Sequence, residues 1–486
     1  MLFNTLEFAA FFAVVFCVYY LPLVTRHQVP LLVAASMVFY AWSAPWLLTL
    51  LIIAVLTNAI ASFKIGTDPR HEKAWAIGCV SVNLAMLALF KYGGLLTSFA
   101  TGHLGLNATG PVLLLMTLPL PIGISFYTFE GISLVADTFR AHRSDGEIPN
   151  FIAPSFPEHL ARTSLFIVFF PHLISGPILK ARQFYPQVGI KRFQDIDWNR
   201  AISSGIVGFF LKCVVADNLK DQTAFLTHPI YQTMSAADDL ALLFGYSMQI
   251  FADFAGYSLI AISLAALLGY DLPDNFNFPY ISRSLSEFWR RWHISLSTWL
   301  RDYLYFPLGG NRKGTVRTYL NLAIVMVLGG LWHGAAWSFA FWGAFHGLGL
   351  ATERLLGLET GVDPEPPGWS RAVLANLRRV GVFGYVTFGW LFFKLTNITF
   401  AFDFVRTVAH GSTHLSKTVA FPIAIYTAPV ILYHVARLPA SQRWWAGIGS
   451  AAPAFSSGAR RAALAVLFFF VITNGGSVGQ FIYFQF

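Results

Sequence analysis

The sequence has little charge. Of its 486 residues only 12% are Asp, Glu, Lys or Arg, while 56% are hydrophobic. A soluble globular domain carries about 25% charged residues, so most of this surface must face something other than water. Apolar stretches of about 20 residues recur along the chain, and each is long enough to cross a bilayer as a helix. They are continuously apolar rather than alternating, which favours helices over a transmembrane barrel.

Cysteine and recognised site motifs are also scarce. The three cysteines have no CxxC spacing, and the chain contains no HExxH, Walker A or GxSxG motif. We therefore expect no metal site and no disulfide framework. The net charge is +9, but no nucleic-acid motif accompanies it, so we expect no nucleic-acid partner. Basic residues in cytoplasmic loops that fix the topology explain the charge instead.

The hydropathy pattern predicts an all-α polytopic membrane protein, which we expect to form one domain over residues 1–486 with its catalytic core at about 111–355. The predicted helices lie near 6–24, 30–43, 46–63, 74–98, 111–127, 163–178, 201–216, 240–268, 320–352, 380–395, 419–436 and 462–480. Breaks are expected at Ala44-Pro45, at Pro119-Leu120-Pro121 and at Gly329-Gly330. A polar linker is expected at 357–378. The absence of an internal repeat weighs against a transporter.

One stretch, residues 286–312, combines tryptophans with arginines. Placed on a single helix, its apolar side chains form a stripe that includes Trp299. Arg290, His293, Ser297 and Arg301 lie close together on the other side. The residues leave two roles open, namely an interfacial anchor or a cytoplasmic surface on which arginines hold the phosphates of a donor.

Ionisable residues inside apolar segments are the other candidates, since a membrane interior makes them costly. His333 lies in Trp332-His333-Gly334, and burial alone leaves it evenly balanced between a general base and a structural histidine. His346 is interpreted as structural. Asp253 could orient a histidine or an arginine, but we expect it to pair with a buried arginine, and Tyr257 is a candidate polar lining residue.

Six sequence motifs are distributed over nearly the whole chain, and the block at 275–312 is long and specific. They are MLFNTLEFAAFF at the start, FFPHLISGPI at 169–178, QIFADFAGYSLIAISLA at 249–265, NFNFPYISRSLSEFWRRWHISLSTWLRDYLYFPLGGNR at 275–312, LWHGAAW at 331–337 and FIYFQF at 481–486. Together these motifs resemble those of the membrane-bound O-acyltransferase family, in particular its bacterial branch of alginate-type polysaccharide O-acetyltransferases.

The resemblance implies a ring of about a dozen helices, some re-entrant or broken, around a central tunnel. It also implies that His333 and His293 are catalytic, with His333 the stronger assignment. We assign substrate binding to a wider set that surrounds these two histidines in the sequence or in the expected fold. The set comprises Arg290, Arg291, Ser297, Trp299, Arg301, Trp332, Asp253 and Tyr257.

The expected reaction is acetyl transfer from a cytoplasmic thioester to a hydroxyl group outside, in a multi-pass protein of the bacterial inner membrane. The donor is acetyl-CoA or the phosphopantetheine thioester of an acyl carrier protein, and no bound cofactor is expected. Partners are the bilayer and either a polysaccharide acceptor or a periplasmic or exported acetyltransferase. Alternatives are D-alanyl transfer to teichoic acid, peptidoglycan O-acetylation, and a non-enzymatic transporter or scaffold.

Overall fold

The computed structural model describes most of the chain, and all regular elements in that part are helical. The residues described are 1–42, 45–95, 97, 121–141, 143, 151–359, 368–439, 441–442, 453–477, 479 and 481–482. Much of the predicted 111–127 helix, the core of the 357–378 linker and most of the terminal FIYFQF lie outside the described residues.

The α-helices follow the apolar segments closely at most positions. Their bounds are Leu6–Tyr19, Gln28–Ala41, Leu48–Thr67, Glu72–Leu87, Ile124–Ala141, Phe156–Val168, Phe170–Leu173, Ala181–Phe184, Trp198–Phe209, Asp217–Thr223, Ala236–Leu267, Leu285–Arg291, Ile294–Leu300, Thr315–His333, Trp337–Leu355, Trp369–Lys394, Ile398–His410, Lys417–Val435 and Pro453–Thr473. Wider π-helical turns at Ala88–Tyr92, Phe210–Ala216 and Arg301–Tyr305 extend three of them.

Six helical stretches in the described part are long and apolar enough to cross a membrane, by length and composition. They are Pro45–Thr67, Glu72–Leu95, Trp198–Thr223, Ala236–Leu267, Thr315–His333 and Lys417–Val435. A bent pair, Leu6–Tyr19 with Pro22–Ala41, makes a seventh if it counts as one span, and its two halves meet at 97°. The chain is therefore a multi-pass membrane protein whose helices include a sharply broken segment.

The described chain divides into two compact units. The first comprises Met1–Ile202 and Ala261–Pro273. Its interior contains both aliphatic and aromatic side chains, and the Phe39 and Phe170 rings lie 5.8 Å apart. Some of its buried amides are paired, as where the Asn58 side chain donates to Asn83 at 3.2 Å. Such pairing is favourable because an unmet amide in an apolar interior costs several kcal/mol, on the order of 2–7.

The second unit comprises Ser203–Ile260 and Asp274–Phe486 and contains both predicted catalytic histidines. Within it, the predicted span at 320–352 is wrong as a single helix. Residues Thr315–His333 and Trp337–Leu355 instead form two antiparallel helices joined by a short turn, which we call the hairpin. The predicted single helix over 286–312 is also wrong, because it breaks at Trp292-His293.

Candidate active site

The hairpin positions His333, and glycines bring its two helices together. A Cβ on Gly330 would overlap the carbonyl oxygen of Phe339 and lie 3.1 Å from the Cα of Gly343. The expectation that Gly329-Gly330 breaks the helix is therefore wrong: the helix runs on to His333, and the glycines allow close backbone packing. The break falls after His333, where Gly334 is extended with φ −166°.

His333 is thus the last residue of its helix and is 4% exposed. Its ring meets Trp342 at 5.3 Å between centroids with the planes at 90°, and it meets Phe393 at 5.1 Å. The C-terminus of a helix carries partial negative charge and stabilises a cation there. An imidazole at this position is therefore suited to holding a proton that it has accepted.

His293 lies at the break between the helices Leu285–Arg291 and Ile294–Leu300, in the left-handed region with φ 44°. A side chain with a Cβ adopts this conformation at a cost of about 1–2 kcal/mol. Backbone hydrogen bonds to the upstream segment that contains Asn275 and Asn277 hold the break in place. Ile294 N–H donates to the Asn275 carbonyl at 2.9 Å, and Asn277 N–H donates to the Arg291 carbonyl at 2.9 Å.

The His293 side chain is 1% exposed and is fixed by Asn275, whose Oδ1 lies 3.0 Å from the imidazole Nδ1. The edge of the ring meets Phe254 at 4.6 Å between centroids. Burial lowers the pKa of His293 to about 3, so the imidazole is neutral at physiological pH.

Both histidine rings lie close to the same tryptophan, Trp332. The Trp332 ring centroid lies 6.0 Å from that of His293 and 5.1 Å from that of His333. The two imidazoles are therefore separated by no more than the sum of these distances. Trp332 is 5% exposed, so the histidines share a buried, mainly aromatic setting in which a proton transfer is shielded from water.

Other residues of the 286–312 block were also predicted to bind substrate, and they do not all lie with the two histidines. Ser297 donates to the Trp292 carbonyl at 3.4 Å, and Trp299 packs on Tyr303 at 5.2 Å between ring centroids. The Arg301 side chain is 54% exposed and lies 2.9 Å from the carboxylate of its neighbour Asp302. Arg290 is exposed on its helix.

Asp253 belongs to a buried ion-pair network. Its carboxylate lies 2.8 Å from Nζ of Lys212, which also lies 2.6 Å from Asp217. Asp253 further accepts a 2.7 Å hydrogen bond from the backbone of Ile482. The predicted pairing with a cation is confirmed, with lysine rather than arginine as the partner. Tyr257 lies beneath Lys212, whose Nζ is 5.2 Å from the ring centroid, so both residues anchor the C-terminal segment.

A cavity of about 710 Å³ opens beside the His293 break, and we call it the arginine cavity. Ile294 and Phe276, the neighbours of His293 and Asn275 in sequence, line its wall. Two carboxylates, Asp274 and Glu287, also line it. The four arginines that line it are Arg283, Arg291, Arg379 and Arg437.

The arginines of this cavity differ in whether a nearby carboxylate neutralises their charge. Arg291 lies 2.8 Å from Glu287, and Arg283 lies 3.3 Å from the same carboxylate. Arg437 lies 4.8 Å above the Phe278 ring and makes no ion pair within the described part of the chain. Of the arginines predicted from the sequence, only Arg291 lines the cavity, while Arg379 and Arg437 were missed because they are distant in sequence.

Sequence reasoning also passed over a buried pair in the first unit. Nδ1 of His172 lies 3.0 Å from Oε1 of Glu130, and both side chains are fully buried. Two sequence features could have indicated this pair, namely the acid in the apolar run FYTFEGISL and the histidine in FFPHLISGPI. Among the described residues, no three His, Cys, Asp or Glu side chains come together as a metal-binding group.

Comparison with known proteins adds a family to this geometry. The membrane-bound O-acyltransferase family profile matches residues 115–401. A probable alginate O-acetylase AlgI of Pseudomonas putida is 37% identical over 407 residues, covering 82% of this chain and 78% of that protein. A peptidoglycan O-acetyltransferase of Helicobacter pylori is 32% identical, covering 79% and 75%. A teichoic acid D-alanyltransferase of Bacillus subtilis is 31% identical over 46% of this chain and 56% of its own length.

Proposed function

Because the chain belongs to the membrane-bound O-acyltransferase family, we propose that it passes an acetyl group from a cytoplasmic thioester across the bacterial inner membrane to a hydroxyl group, for the O-acetylation of alginate or a related exopolysaccharide. The observation that carries the proposal is the burial of His333 and His293 against the same ring, that of Trp332.

His333 acts as the general base in this proposal. It takes the proton of the acceptor hydroxyl while the oxygen attacks the thioester carbonyl. The C–S bond then breaks, and the imidazolium returns the proton to the leaving sulfur, which departs as the thiol. The helix C-terminus at His333 stabilises the imidazolium formed in that step. General-base assistance of this kind contributes about 10²–10⁴-fold to the rate.

The donor is proposed to bind in the arginine cavity. Acetyl-CoA and a carrier-protein phosphopantetheine arm both carry phosphate, which arginine guanidinium groups bind well. Arg437 has no ion pair among the described residues and is available for such a phosphate, and the stacked rings of Phe278 and Tyr433 line the cavity beside it. This replaces the surface expected from Arg290 and Arg301 with a cavity whose wall adjoins His293.

The acceptor is proposed to reach the site from the other side of the membrane, as a polysaccharide hydroxyl or through a periplasmic or exported acetyltransferase. The similarity to a probable alginate O-acetylase favours a polysaccharide of the alginate kind. Peptidoglycan is the second candidate, because the Helicobacter pylori relative also covers most of this chain.

A complementation experiment tests the proposal. The chain is expressed in an alginate-producing bacterium that lacks its own O-acetylase, and the acetyl content of alginate and of peptidoglycan is measured separately. Restored acetylation of alginate is expected with the native chain and with His410→Ala, whose histidine is exposed at a helix end. It is expected to be lost with His333→Ala at equal membrane abundance.

Three results would contradict the proposal. Native-level acetylation by His333→Ala would remove the base assigned to that residue. Acetylation of peptidoglycan alone would move the acceptor to the second candidate. Purified protein that takes D-alanine from a charged carrier protein, and no label from radiolabelled acetyl-CoA, would replace the acetyl donor.

A further inference from the structure

The hydrogen bonds around Asn275 fix which nitrogen of His293 carries the proton. Oδ1 of Asn275 lies 3.3 Å from the backbone nitrogen of Ser295, which can only donate, and it also accepts from the Ser295 hydroxyl at 2.9 Å. The Asn275 Nδ2 donates to Ser258 Oγ at 3.1 Å. A flipped amide would set its NH₂ group against the Ser295 N–H, so the oxygen is the atom that faces His293.

An amide oxygen has no hydrogen to give, so the 3.0 Å contact with Asn275 requires an N–H on Nδ1 of His293. A neutral imidazole carries one proton, and its other nitrogen is then an acceptor. Nε2 of His293 is buried and makes no hydrogen bond to any described part of the chain. It therefore presents a lone pair to whatever occupies the space beside it.

Asn275 also holds the backbone of the break. Its carbonyl accepts the N–H of Ile294, the residue after His293. The orientation of the His293 ring thus depends on the Asn275 side chain, whereas the left-handed conformation of His293 is held by the main chain of Asn275 together with that of Asn277. Eighteen residues separate the two in sequence, and both belong to the second unit.

We propose that Asn275 is a positioning residue that fixes His293 as the Nδ1–H tautomer, so that Nε2 accepts a hydrogen bond from a reactant. This deepens, and rests on, the proposed acyl transfer. The partner of Nε2 is an uncharged N–H or O–H group, either a pantetheine amide of the donor or the acceptor hydroxyl. A lone pair repels the developing oxyanion, so the structure assigns His293 no part in stabilising that charge.

The first test reads the tautomer without any activity measurement. In protein labelled with ¹⁵N-histidine, the His293 signal is identified by its loss in His293→Gln. We expect Nδ1 protonated and Nε2 unprotonated in the native chain, and a mixture of tautomers in Asn275→Leu. A native His293 protonated on Nε2 would overturn the proposal even if the protein proved to be an active acetyltransferase.

The second test uses kinetics with acetyl-CoA and the acceptor. Asn275→Leu is expected to lose roughly 10–100-fold in kcat/KM, by analogy with the loss when the partner that orients a metal-bound histidine is removed. Asn199→Leu, at an exposed position in the first unit, is the control. An Asn275→Leu variant as active as this control would overturn the proposal.

Asn275→Asp separates positioning from folding. Aspartate keeps the acceptor for Nδ1–H, and its second oxygen can accept from the Ser258 hydroxyl, so activity at pH 8 should be near native. A carboxylate at this distance raises the pKa of a histidine by about 1–3 units. His293 would then protonate within an accessible range, and activity should fall toward pH 5 more steeply than in the native chain.

The charged and titratable groups on the surrounding elements do not change between these variants. They are Asp253 and Tyr257 on Ala236–Leu267, Glu287, Arg290 and Arg291 on the preceding helix, Arg301 and Asp302 on the following turn, and His333 on the hairpin. A pH profile of Asn275→Asp that parallels the native one would therefore overturn the proposal.

Two thioester donors distinguish whether the pantetheine amide or the acceptor hydroxyl donates the hydrogen bond to Nε2. They are S-acetyl-N-acetylcysteamine, which has an amide, and an S-alkyl thioacetate, which has none. A loss in Asn275→Leu that is confined to the first identifies the pantetheine amide as the partner of Nε2. An equal loss with both identifies the acceptor hydroxyl. No loss with either would count against the proposal.

Discussion

A single methyl group at Gly343 should disturb the position of His333. A Cβ there would overlap the Met326 carbonyl oxygen and lie 2.9 Å from its carbonyl carbon and 3.0 Å from the Val327 Cα. All three atoms are backbone, so no side chain can turn aside. Ordinary carbon contacts need about 3.5–4.0 Å, and the two helices of the hairpin would have to separate by roughly 1 Å.

The energetic cost can be isolated by comparison with Gly384→Ala. Gly384 lies within the helix Trp369–Lys394, and a Cβ there meets nothing within 4 Å. Both changes gain about 1 kcal/mol of helix propensity, so that contribution cancels. What remains is the overpacking cost, typically about 1–3 kcal/mol, and a fully backbone clash belongs at the upper end. Gly343→Ala should therefore be about 3 kcal/mol less stable than Gly384→Ala.

The assay measures thermal unfolding of the detergent-purified variants together with acetyl transfer. Because a displacement of about 1 Å at a catalytic group can reduce a rate by about 10²-fold, Gly343→Ala should lose activity well below its unfolding temperature. Equal unfolding temperatures and equal rates for Gly343→Ala and Gly384→Ala would refute the close packing of the hairpin as the device that places His333.

Two further predictions concern charged groups. Arg437→Ala should raise the KM for acetyl-CoA several-fold with little change in kcat. The KM of the native chain should rise with salt concentration, because salt screens the binding of phosphate. A KM that responds neither to the substitution nor to salt would place the donor elsewhere. Lys212→Met should destabilise the protein by about 3–5 kcal/mol because it leaves buried carboxylates without their cation, and more than Asp253→Asn does. Thermal unfolding of the two variants checks this order, and the reverse order would contradict it.

The sequence predicted the class of the protein and the burial of His333 for a simple physical reason. Hydropathy is a local property, and an ionisable group in an apolar run is visible without any partner. The same reasoning predicted that Asp253 is paired, and Lys212 in the run GFFLKCVVAD was a visible candidate for its partner. Which of several cations approaches an acid depends on how distant helices pack.

The break at His293 could not be predicted in this way. The run from Leu285 to Tyr305 has continuous helical character and contains no glycine or proline, so the local pattern favours an unbroken helix. The bonds that support the break come from Asn275 and Asn277, which lie upstream of the whole block. Tertiary hydrogen bonds thus outweigh local helix preference at His293, a predicted site residue.

At Gly329-Gly330 the local pattern predicted a break, but the helix is continuous. Paired glycines weaken a helix, but they also permit two helices to approach closely, and the sequence of one segment does not distinguish the two outcomes. The deciding partner is Gly343 on the next helix. Small residues on two successive apolar segments indicate a close hairpin. His333 is the buried last residue of the first helix, directly before the turn, so the glycines that looked like a break help to determine where the predicted catalytic histidine lies.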